Sequence, residues 1–511
     1  MSGKWKRGRV AAVSLVGVLG MALSACGSSD SGGGEASDEI TIALSYRTSS
    51  LDPHNGGTYD PQYTAPMFDA LIGWDEDGNP VPGLATDWEL ADDAMSLTLT
   101  LRDGVQFQDG ASMDAEAVQK SLDRARAEGA ATAPDLAVVE AVDVVDEMTV
   151  KLTFNAPGAH VIAALGNEPG MIVSPDVADG DVATNPVGAG PFKLVSHTAD
   201  EVEYEAWDGY WDAENRKPNS LTIRAIVDDA ARVRALNSGQ IDGGNMRPSQ
   251  ITEIEAGGNV VVTGASDLIY YVLLNTSRPG LDDPVVRNAI LNGIDRQSID
   301  DNLQGGLCEP VVQPYIDQFG PYTDALPNAD TYKYEPEKVK AELEAAGYGA
   351  SNPVSIELKS PNISVYQELA EVVQDQLGKV GIESTVAAVD TAQATPEVRE
   401  GKFDAYVAPT NVADPDVTTF LYNWYLRPGV AWTTGIEIDG GQELVDEARS
   451  TADPAEQSPP LQELVKKIYE AGPALIPICA PQAVFGAASG MDGFVSPIEG
   501  AYNWKPVVVS K

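Results

Sequence analysis

Side chains that perform catalysis are present in this chain, but not at the spacings that catalysis requires. The 511 residues include three histidines (His54, His160 and His197), and none has a partner at metal-ligand spacing. There is no H-E-x-x-H, no C-x-x-C and no G-x-S-x-G, and no serine stands three residues before a lysine. Because acidic residues are abundant, a catalytic pair of carboxylates like that of glycosidases is an alternative, although no pattern points to one. The sequence therefore predicts no catalytic residue, no metal site and no cofactor.

Cys26 is the one residue whose surroundings indicate covalent chemistry. A basic start precedes an uncharged apolar segment at 10–23, which is shorter than the about 20 residues that span a bilayer. Small residues then lead into Cys26. The pattern resembles the lipobox of bacterial lipoproteins, which implies cleavage before Cys26 and acylation of that residue. The alternative is an ordinary signal peptide with a cysteine at the junction.

Two further cysteines, Cys308 and Cys479, form an even pair once Cys26 is set aside. Disulfides persist in the oxidising environment outside the cytoplasm, so we expect these two residues to be bonded to each other. Two buried free thiols are the alternative.

The chain is strongly acidic, with 33 basic and 77 acidic residues and a formal net charge of −44. Cleavage before Cys26 would remove four basic residues and no acidic ones. This balance argues against nucleic acid or anionic lipid as a partner. The acidity is typical of a soluble protein or a salty habitat, and a cationic ligand is a second interpretation.

Strand and helix patterns alternate after a Gly/Ser-rich segment that we interpret as a flexible tether. Period-two apolar runs predict strands at 40–44, 97–101, 150–154 and 221–225. Apolar residues at helical spacing, with proline or glycine at the ends, predict helices at 115–125, 284–290, 336–346 and 366–380. The predicted class is α/β with mixed sheets, and the length suggests two or three lobes at about 100–200 residues each.

Several segments resemble, in order and spacing, the family 5 extracellular solute-binding proteins that serve peptide and nickel ABC importers. The segments are LDP at 51–53, GNP at 78–80, PGLA at 82–85, LTLTLRDGVQFQDGASMDAEAV from Leu97, PVGAGPF at 186–192, YW at 210–211, LNSGQID at 236–242, VRNA at 286–289 with IDR at 294–296, and the stretch 334–348. The run from Leu97 is the most specific of them. The glycines and charges of these segments identify the family and not its cargo.

The resemblance implies a two-lobed periplasmic-binding-protein-like fold of type II, with an extra subdomain inserted in lobe I. The boundaries that we expect are a signal peptide at 1–25, a tether at 26–38, lobe I at 39–75, 185–270 and 480–511, the inserted subdomain at 76–184, and lobe II at 276–479. Crossing segments are expected at 270–275 and near 476–478. Solute would bind between the lobes, favour the closed state and be passed to a membrane permease.

The resemblance also implies a ligand position in lobe II. Peptide-binding members carry an aspartate four residues before a proline, where it pairs with the ammonium group of the peptide. The matching segment here, 410–415, places the neutral Asn411 at that position. Because a desolvated ammonium group without a counter-charge is costly, either Asp414 substitutes or the ligand is not a free peptide.

Aromatic residues are concentrated downstream, in a chain that is only 7% aromatic. Trp424, Tyr425 and Trp432 are candidates for a stacking wall, with ordinary core packing as the alternative. By analogy, Tyr46 and the pair Asn245 and Met246 would face the ligand from lobe I.

The sequence favours a monomeric, non-enzymatic substrate-binding lipoprotein of an ABC importer, outside the cytoplasm, for an oligopeptide or peptide-like solute. An oligosaccharide or another small organic solute is the alternative cargo. A lipid-anchored glycan hydrolase and a sensing lipoprotein are the other functional interpretations.

Overall fold

The structure is a computed structural model, and all the residues that it describes lie in one unit, Ala36–Lys511. It comprises residues 36–57, 60–75, 78–266, 268–315, 320–323, 326, 333–412, 416–496 and 501–510. Cys26, Asp414 and the predicted signal peptide lie outside these residues. In the described ranges, no helix combines the length and apolar character that crossing a bilayer requires.

Strands and helices alternate along the described residues, as the periodicity predicts. The strands are β1 (Ala36–Ser37), β2 (Glu39–Leu44), β3 (Ile72–Trp74), β4 (Pro80–Pro82), β5 (Ala85–Leu90), β6 (Ser96–Leu101), β7 (Val139–Asp146), β8 (Thr149–Phe154), β9 (Phe192–His197), β10 (Glu201–Ala206), β11 (Ser220–Ala225), β12 (Gly243–Asn245), β13 (Val260–Gly264), β14 (Leu268–Leu274), β15 (Cys308–Pro310), β16 (Val354–Pro361), β17 (Ile382–Val389), β18 (Ala405–Asn411), β19 (Leu475–Pro481), β20 (Ala483–Ala487), β21 (Met491–Asp492) and β22 (Val508–Ser510). The helices are α1 (Pro61–Thr64), α2 (Ala115–Ala125), α3 (Val161–Ala164), α4 (Asp229–Asn237), α5 (Ile251–Ala256), α6 (Pro284–Asn292), α7 (Arg296–Leu303), α8 (Pro336–Ala345), α9 (Ser364–Lys379), α10 (Thr391–Arg399), α11 (Val417–Leu421), α12 (Gly441–Ala448) and α13 (Pro454–Ala471). The four predicted strands fall in β2, β6, β8 and β11, and the four predicted helices fall in α2, α6, α8 and α9.

The first large sheet has seven strands in the order β13-β20-β12-β2-β11-β10-β9. Its strand β2 lies between β11 and β12 and is parallel to both. Ile40 and Ile42 lie beside Leu221 and Ile223, and all four side chains are buried. The alternation that the sequence shows is therefore the alternation between the two faces of this sheet, and Ala43 on the opposite face is buried as well.

The second large sheet has six strands in the order β15-β19-β14-β18-β16-β17. Strand β14 lies between β18 and β19 and is antiparallel to both. Six of its seven residues are buried, as expected for a central strand covered on both faces. A separate set of buried apolar residues surrounds this sheet and includes the inward faces of α9 and α13.

A four-stranded antiparallel sheet, β5-β6-β8-β7, forms a third layer with α2 packed against it. Its buried apolar residues form their own cluster. The arginine of the family signature stabilises this layer: Arg102 donates from Nε and Nη2 to the carbonyl oxygen of Gly83, just before β5, at 3.1 and 3.0 Å. Its guanidinium group also lies 4.0 Å from the ring centroid of Trp211. We call the first sheet with this layer lobe I, and the six-stranded sheet with its helices lobe II.

Two adjacent connections join the lobes. The chain leaves lobe I after Gly264 and enters β14 at Leu268, and it returns from β19 to β20 around position 482. Gly264 is paired with Ala483 on the lobe I side, and β14 is paired with β19 on the lobe II side. The hydroxyl of Ser266 donates to the carbonyl oxygen of Pro481 at 2.6 Å, so the two connections are tied together.

Cys308 and Cys479 form the predicted disulfide, which joins β15 to β19 beside these connections. The sequence separation is 171 residues, and both residues are fully buried. The predicted tether differs from the structure at its end, because Ala36 and Ser37 pair with β22.

Candidate functional site

A cavity of about 390 Å³ lies between the two lobes. Both lobes form its walls, which include the segments after β2 and β12, strands β14 and β18, and the start of α9. The volume falls in the range of about 300–1,000 Å³ that is typical of small-molecule sites. Within the described residues, no group of three or more histidine, cysteine or acidic residues is arranged to hold a metal ion.

The lobe I wall is held by hydrogen bonds between segments far apart in the sequence. The Asn245 amide accepts from the backbone N–H of Ser45 at 2.9 Å and donates to the Ser45 hydroxyl at 2.8 Å. The backbone N–H of Met246 donates to the carbonyl oxygen of Val484 at 2.8 Å. The hydroxyl of Tyr63 donates to the carbonyl oxygen of Tyr46 at 2.7 Å. These contacts fix the backbone from which the residues of this wall project.

The lobe II wall follows the alternation of β14 and β18. Leu268 lies opposite Asn411, and Tyr270 lies opposite Pro409, so all four project from one face of the sheet and line the cavity. Tyr366, from the first turn of α9, packs edge-to-face on Tyr270 at 5.8 Å between ring centroids. This wall therefore combines aromatic rings with a side-chain amide.

The arginines of the cavity are already paired with carboxylates. Arg232, 1% exposed, donates to the carbonyl oxygens of Ile226 and Asn245 and to Asp229 Oδ1 at 2.7 Å. Burial by itself would raise the pKa of Asp229, but hydrogen bonds from Ser364 and Arg232 and the neighbouring positive charges outweigh it and lower that pKa. Asp229 is therefore ionised at neutral pH and balances the buried guanidinium group.

A second set of contacts joins the lobes at the cavity. Arg247 of lobe I donates to the carboxylate of Glu368 on α9 at 3.0 and 2.5 Å, and to Asp229 at 3.3 Å. The hydroxyl of Ser364, also on α9, donates to Asp229 Oδ2 at 2.8 Å. The hydrogen bond with Glu368 raises the pKa of Arg247. We call Asp229, Arg247, Ser364 and Glu368 the interlobe ion-pair cluster.

Four of the predicted site residues line the cavity: Tyr46, Asn245 and Met246 from lobe I, and Asn411 from lobe II. Asp414 lies outside the described residues, and so does Cys26. The sequence therefore identified residues of both walls, although they are more than 160 positions apart.

The aromatic residues predicted to form a stacking wall lie elsewhere. Trp424 packs 5.5 Å from both Tyr271 and Trp432, measured between ring centroids. Tyr271 projects from the face of β14 opposite to Tyr270, and therefore away from the cavity. The Tyr425 hydroxyl donates to a backbone carbonyl of β19.

Trp424, Tyr425 and Trp432 line a gap of only about 10 Å³. This is no more space than about one water molecule occupies. Tyr425 and Trp432 belong to the buried core of lobe II, and Trp424 packs against it. We therefore correct their assignment from ligand binding to core packing.

Other cavity residues were missed by the sequence analysis. Tyr270 and Tyr366 line the cavity, as do Arg247 and Gln304. The alternation of β14 could have indicated that Tyr270 and Tyr271 face opposite ways. No local pattern indicates that Arg247 meets a glutamate 121 residues further along the chain.

The comparisons with known proteins agree with this architecture. The chain is 28% identical over 493 residues to the glutathione-binding protein GsiB of Salmonella paratyphi A. The aligned region covers 90% of this chain and 92% of that protein. The structure of DppA from Helicobacter pylori in complex with the peptide STSA superposes with a TM-score of 0.83 at 22% identity, covering 93% of this chain and 98% of that one. The structure of AgaA from A. tumefaciens R10 in complex with agropinic acid gives a TM-score of 0.80 at 26% identity, covering 89% and 94%.

The lobes, the cavity between them and the ordered signature segments all fit one family. Residues 79–432, more than half of the chain, match the bacterial extracellular solute-binding proteins, family 5. The chain belongs to the family 5 bacterial extracellular solute-binding proteins.

Proposed function

We propose that this protein is the substrate-binding lipoprotein of an ABC importer, which captures an oligopeptide or peptide-like solute and delivers it to a membrane permease. The observation that carries the proposal is the cavity between the lobes, whose walls come from both of them. A solute that contacts both walls favours the closed state by its differential affinity. Binding and release, with no bond made or broken, are sufficient for this role.

The chemistry of the walls supports a peptide-like solute. Hydroxyl and amide groups such as Asn411 can bond to peptide carbonyl and N–H groups, and the tyrosine rings can cover apolar side chains. Arg232 and Arg247 already have carboxylate partners, so a solute does not need to be strongly anionic to enter. GsiB, which binds glutathione, and DppA, which was solved with a tetrapeptide, support the same class of cargo.

Several finer parts of the proposal extend beyond the cavity. Tyr46, Asn245, Met246 and Asn411 would contact the solute, and Asp414 would supply a negative charge for its ammonium group. The lobe boundaries would follow the ranges expected from the sequence, except that lobe II would begin at Leu268 and end at Pro481, and the tether would be shortened by β1. The protein would act as a monomer outside the cytoplasm, held at the membrane by acyl chains on Cys26.

A binding panel tests the ligand class. The purified protein is titrated by calorimetry and thermal shift with glutathione, the tetrapeptide STSA, agropinic acid and maltotriose. We expect a peptide to bind and to be recovered intact by mass spectrometry. Stabilisation by maltotriose with both peptides inert would replace the peptide by a sugar, and recovery of cleaved glycan would replace the binding protein by a hydrolase.

Metabolic labelling tests the anchor. Cells that express the protein are fed an alkynyl fatty acid, and the label on the wild-type chain is compared with that on Cys26→Ser. We expect the wild-type protein to carry the label in the membrane fraction and the variant to lose it. Equal labelling of both proteins would contradict acylation at Cys26.

A further inference from the structure

A further contact between the lobes lies where the segment before α3 meets the end of α12. The backbone N–H of Ala159 donates to the carbonyl oxygen of Arg449 at 3.1 Å. Ala159 lies between β8 and α3, in the four-stranded layer of lobe I. Arg449 directly follows α12, whose Val445 and Ala448 are buried in the core of lobe II. The two lobes therefore cannot separate here without breaking a backbone hydrogen bond.

His160, the residue after Ala159, is buried at this contact. It is 4% exposed, and its Nδ1 is enclosed without a hydrogen-bond partner among the residues that the structure describes. The two charged groups that act on the imidazole, Arg449 and Asp416, both belong to lobe II. Burial, with the positive charge of Arg449, lowers the pKa of His160 to about 3. In the closed protein His160 is therefore neutral at neutral and mildly acidic pH.

The lobe II side of the contact does not compensate a proton on His160. Arg449 donates from Nε and Nη2 to the hydroxyls of Thr418 and Thr419, at 2.9 and 3.0 Å. These partners are neutral, so they leave the positive charge of Arg449 in place beside the imidazole. Asp416 opposes that charge, but its carboxylate caps α11 and accepts from the backbone N–H of Thr419 at 2.7 Å.

The lobe I side of the contact adds two acidic residues. Helix α3 itself has no charged residue, and Asp135 and Glu168 lie in the short helical turns Ala133–Leu136 and Glu168–Gly170 that pack against it. The charges that shift the pKa of His160 are nevertheless those of lobe II. Separation of the lobes removes these charges and the cover that lobe II supplies. The pKa of His160 then returns towards its ordinary value of about 6.5.

We propose that His160 makes the closing of the lobes sensitive to pH, so that mild acid opens the protein and releases its solute. The proposal rests on the proposed solute-binding function and adds a regulation to it. In the open protein the imidazole reaches water and takes up a proton as the pH falls through about 6.5. Closing must expel this proton, because the closed contact accepts only the neutral side chain. A proton that binds the open state and not the closed state shifts the protein towards the open state.

Calorimetry with glutathione and the tetrapeptide STSA tests the proposal through the proton itself. At about pH 5.5, His160 carries about 0.9 of a proton in the open protein and almost none in the closed protein, so binding should release up to about 0.9 of a proton. The dependence of the binding enthalpy on the ionisation enthalpy of the buffer measures this number. Between about pH 7.5 and about pH 5.5, the dissociation constant should rise by up to about tenfold.

His160→Gln keeps a polar side chain that takes up no proton in this range. We expect the variant to lose the proton release and the tenfold rise, and groups that titrate on the peptides cancel in the comparison with the wild-type protein. His197→Gln, at an exposed position of β9, is the matched control and should keep both effects. Equal proton release by the wild-type protein and His160→Gln would overturn the proposal while the binding function stands. Wild-type affinities that do not change with pH would overturn it without any variant.

Small-angle scattering measures the opening without a solute. We expect the radius of gyration of the wild-type protein to grow between about pH 7.5 and about pH 5.5, and that of His160→Gln to stay constant. If the wild-type protein binds neither peptide, the proposed ligand class fails and the scattering decides. Growth confined to the proteins that keep His160 supports the pH-sensitive contact, whereas equal radii in all of them overturn it.

Discussion

The interlobe ion-pair cluster should set how readily the lobes open. Arg247 belongs to lobe I and Glu368 to lobe II, and two hydrogen bonds join them. Separation of the lobes must break these bonds and the one from Ser364 to Asp229. Replacing Glu368 by glutamine removes the charge and keeps the shape of the side chain. Arg247 keeps Asp229 as a carboxylate partner at 3.3 Å, so no buried charge is left alone.

The exposure of the two partners sets the size of the effect. The Arg247 side chain is 17% exposed, whereas that of Glu368 is 43% exposed. Hydrogen bonds to charged groups contribute about 1.5–3 kcal/mol when buried, and exposed ion pairs contribute about 0–1 kcal/mol. Because solvent reaches nearly half of Glu368, we expect the variant to lose about 1 kcal/mol of closed-state stability. This is about a fivefold change in the ratio of closed to open protein.

Small-angle scattering and calorimetry measure this change. We expect Glu368→Gln to have a larger radius of gyration without ligand and the wild-type radius with saturating peptide. Its dissociation constant should rise by up to about fivefold, because the solute must supply the free energy of closing. Added salt should weaken binding by the wild-type protein more than by the variant.

Glu371→Gln is the matched control, since Glu371 is exposed on the same helix. It should reproduce the wild-type radius and affinity. The reasoning would be refuted if Glu368→Gln and Glu371→Gln gave the same radius, affinity and salt dependence as the wild-type protein.

The disulfide and a buried histidine give two further predictions. Replacing both Cys308 and Cys479 by alanine removes a cross-link between residues 171 positions apart, which should lower the free energy of unfolding in urea by about 2–5 kcal/mol. A loss below about 1 kcal/mol would contradict this prediction. Burial, with the charge of Arg449, lowers the pKa of His160 to about 3. As the pH falls, the unfolded chain therefore binds a proton before the folded protein does, and the free energy of unfolding decreases below about pH 6.5. His160→Gln should remove about 2 kcal/mol of the wild-type loss between about pH 8 and pH 5, whereas the same change at the exposed His197 should leave the urea midpoints at both pH values unaltered.

Local periodicity was sufficient to predict much of the secondary structure. Ile40 and Ile42 alternate with Thr41 and Ala43 because successive side chains of β2 point to opposite faces of the sheet, and that period is visible in the sequence itself. Asp283 and Pro284 start α6 as predicted, since the aspartate side chain accepts from the N–H of Val285. The disulfide could be predicted because two cysteines remain once Cys26 is set aside as the expected acylation site, and disulfides persist outside the cytoplasm.

The composition of the cavity could not be predicted in the same way. The aromatic residues from Trp424 to Trp432 are concentrated in the sequence, but concentration does not tell which face of the sheet they cover. The pairing of Arg247 with Glu368 depends on how the two lobes meet. Such contacts follow from tertiary packing and leave no period in the sequence.

The paired connections between the lobes restrict how the protein can move. A two-stranded ribbon bends easily about an axis in its own plane, while its hydrogen bonds resist shear between its strands. Because Ser266 and Pro481 hold the connections together, lobe II should swing along one arc and not roll or slide. Chemically different solutes would then all produce a single outline of the loaded protein, which a permease can recognise without reading the cargo.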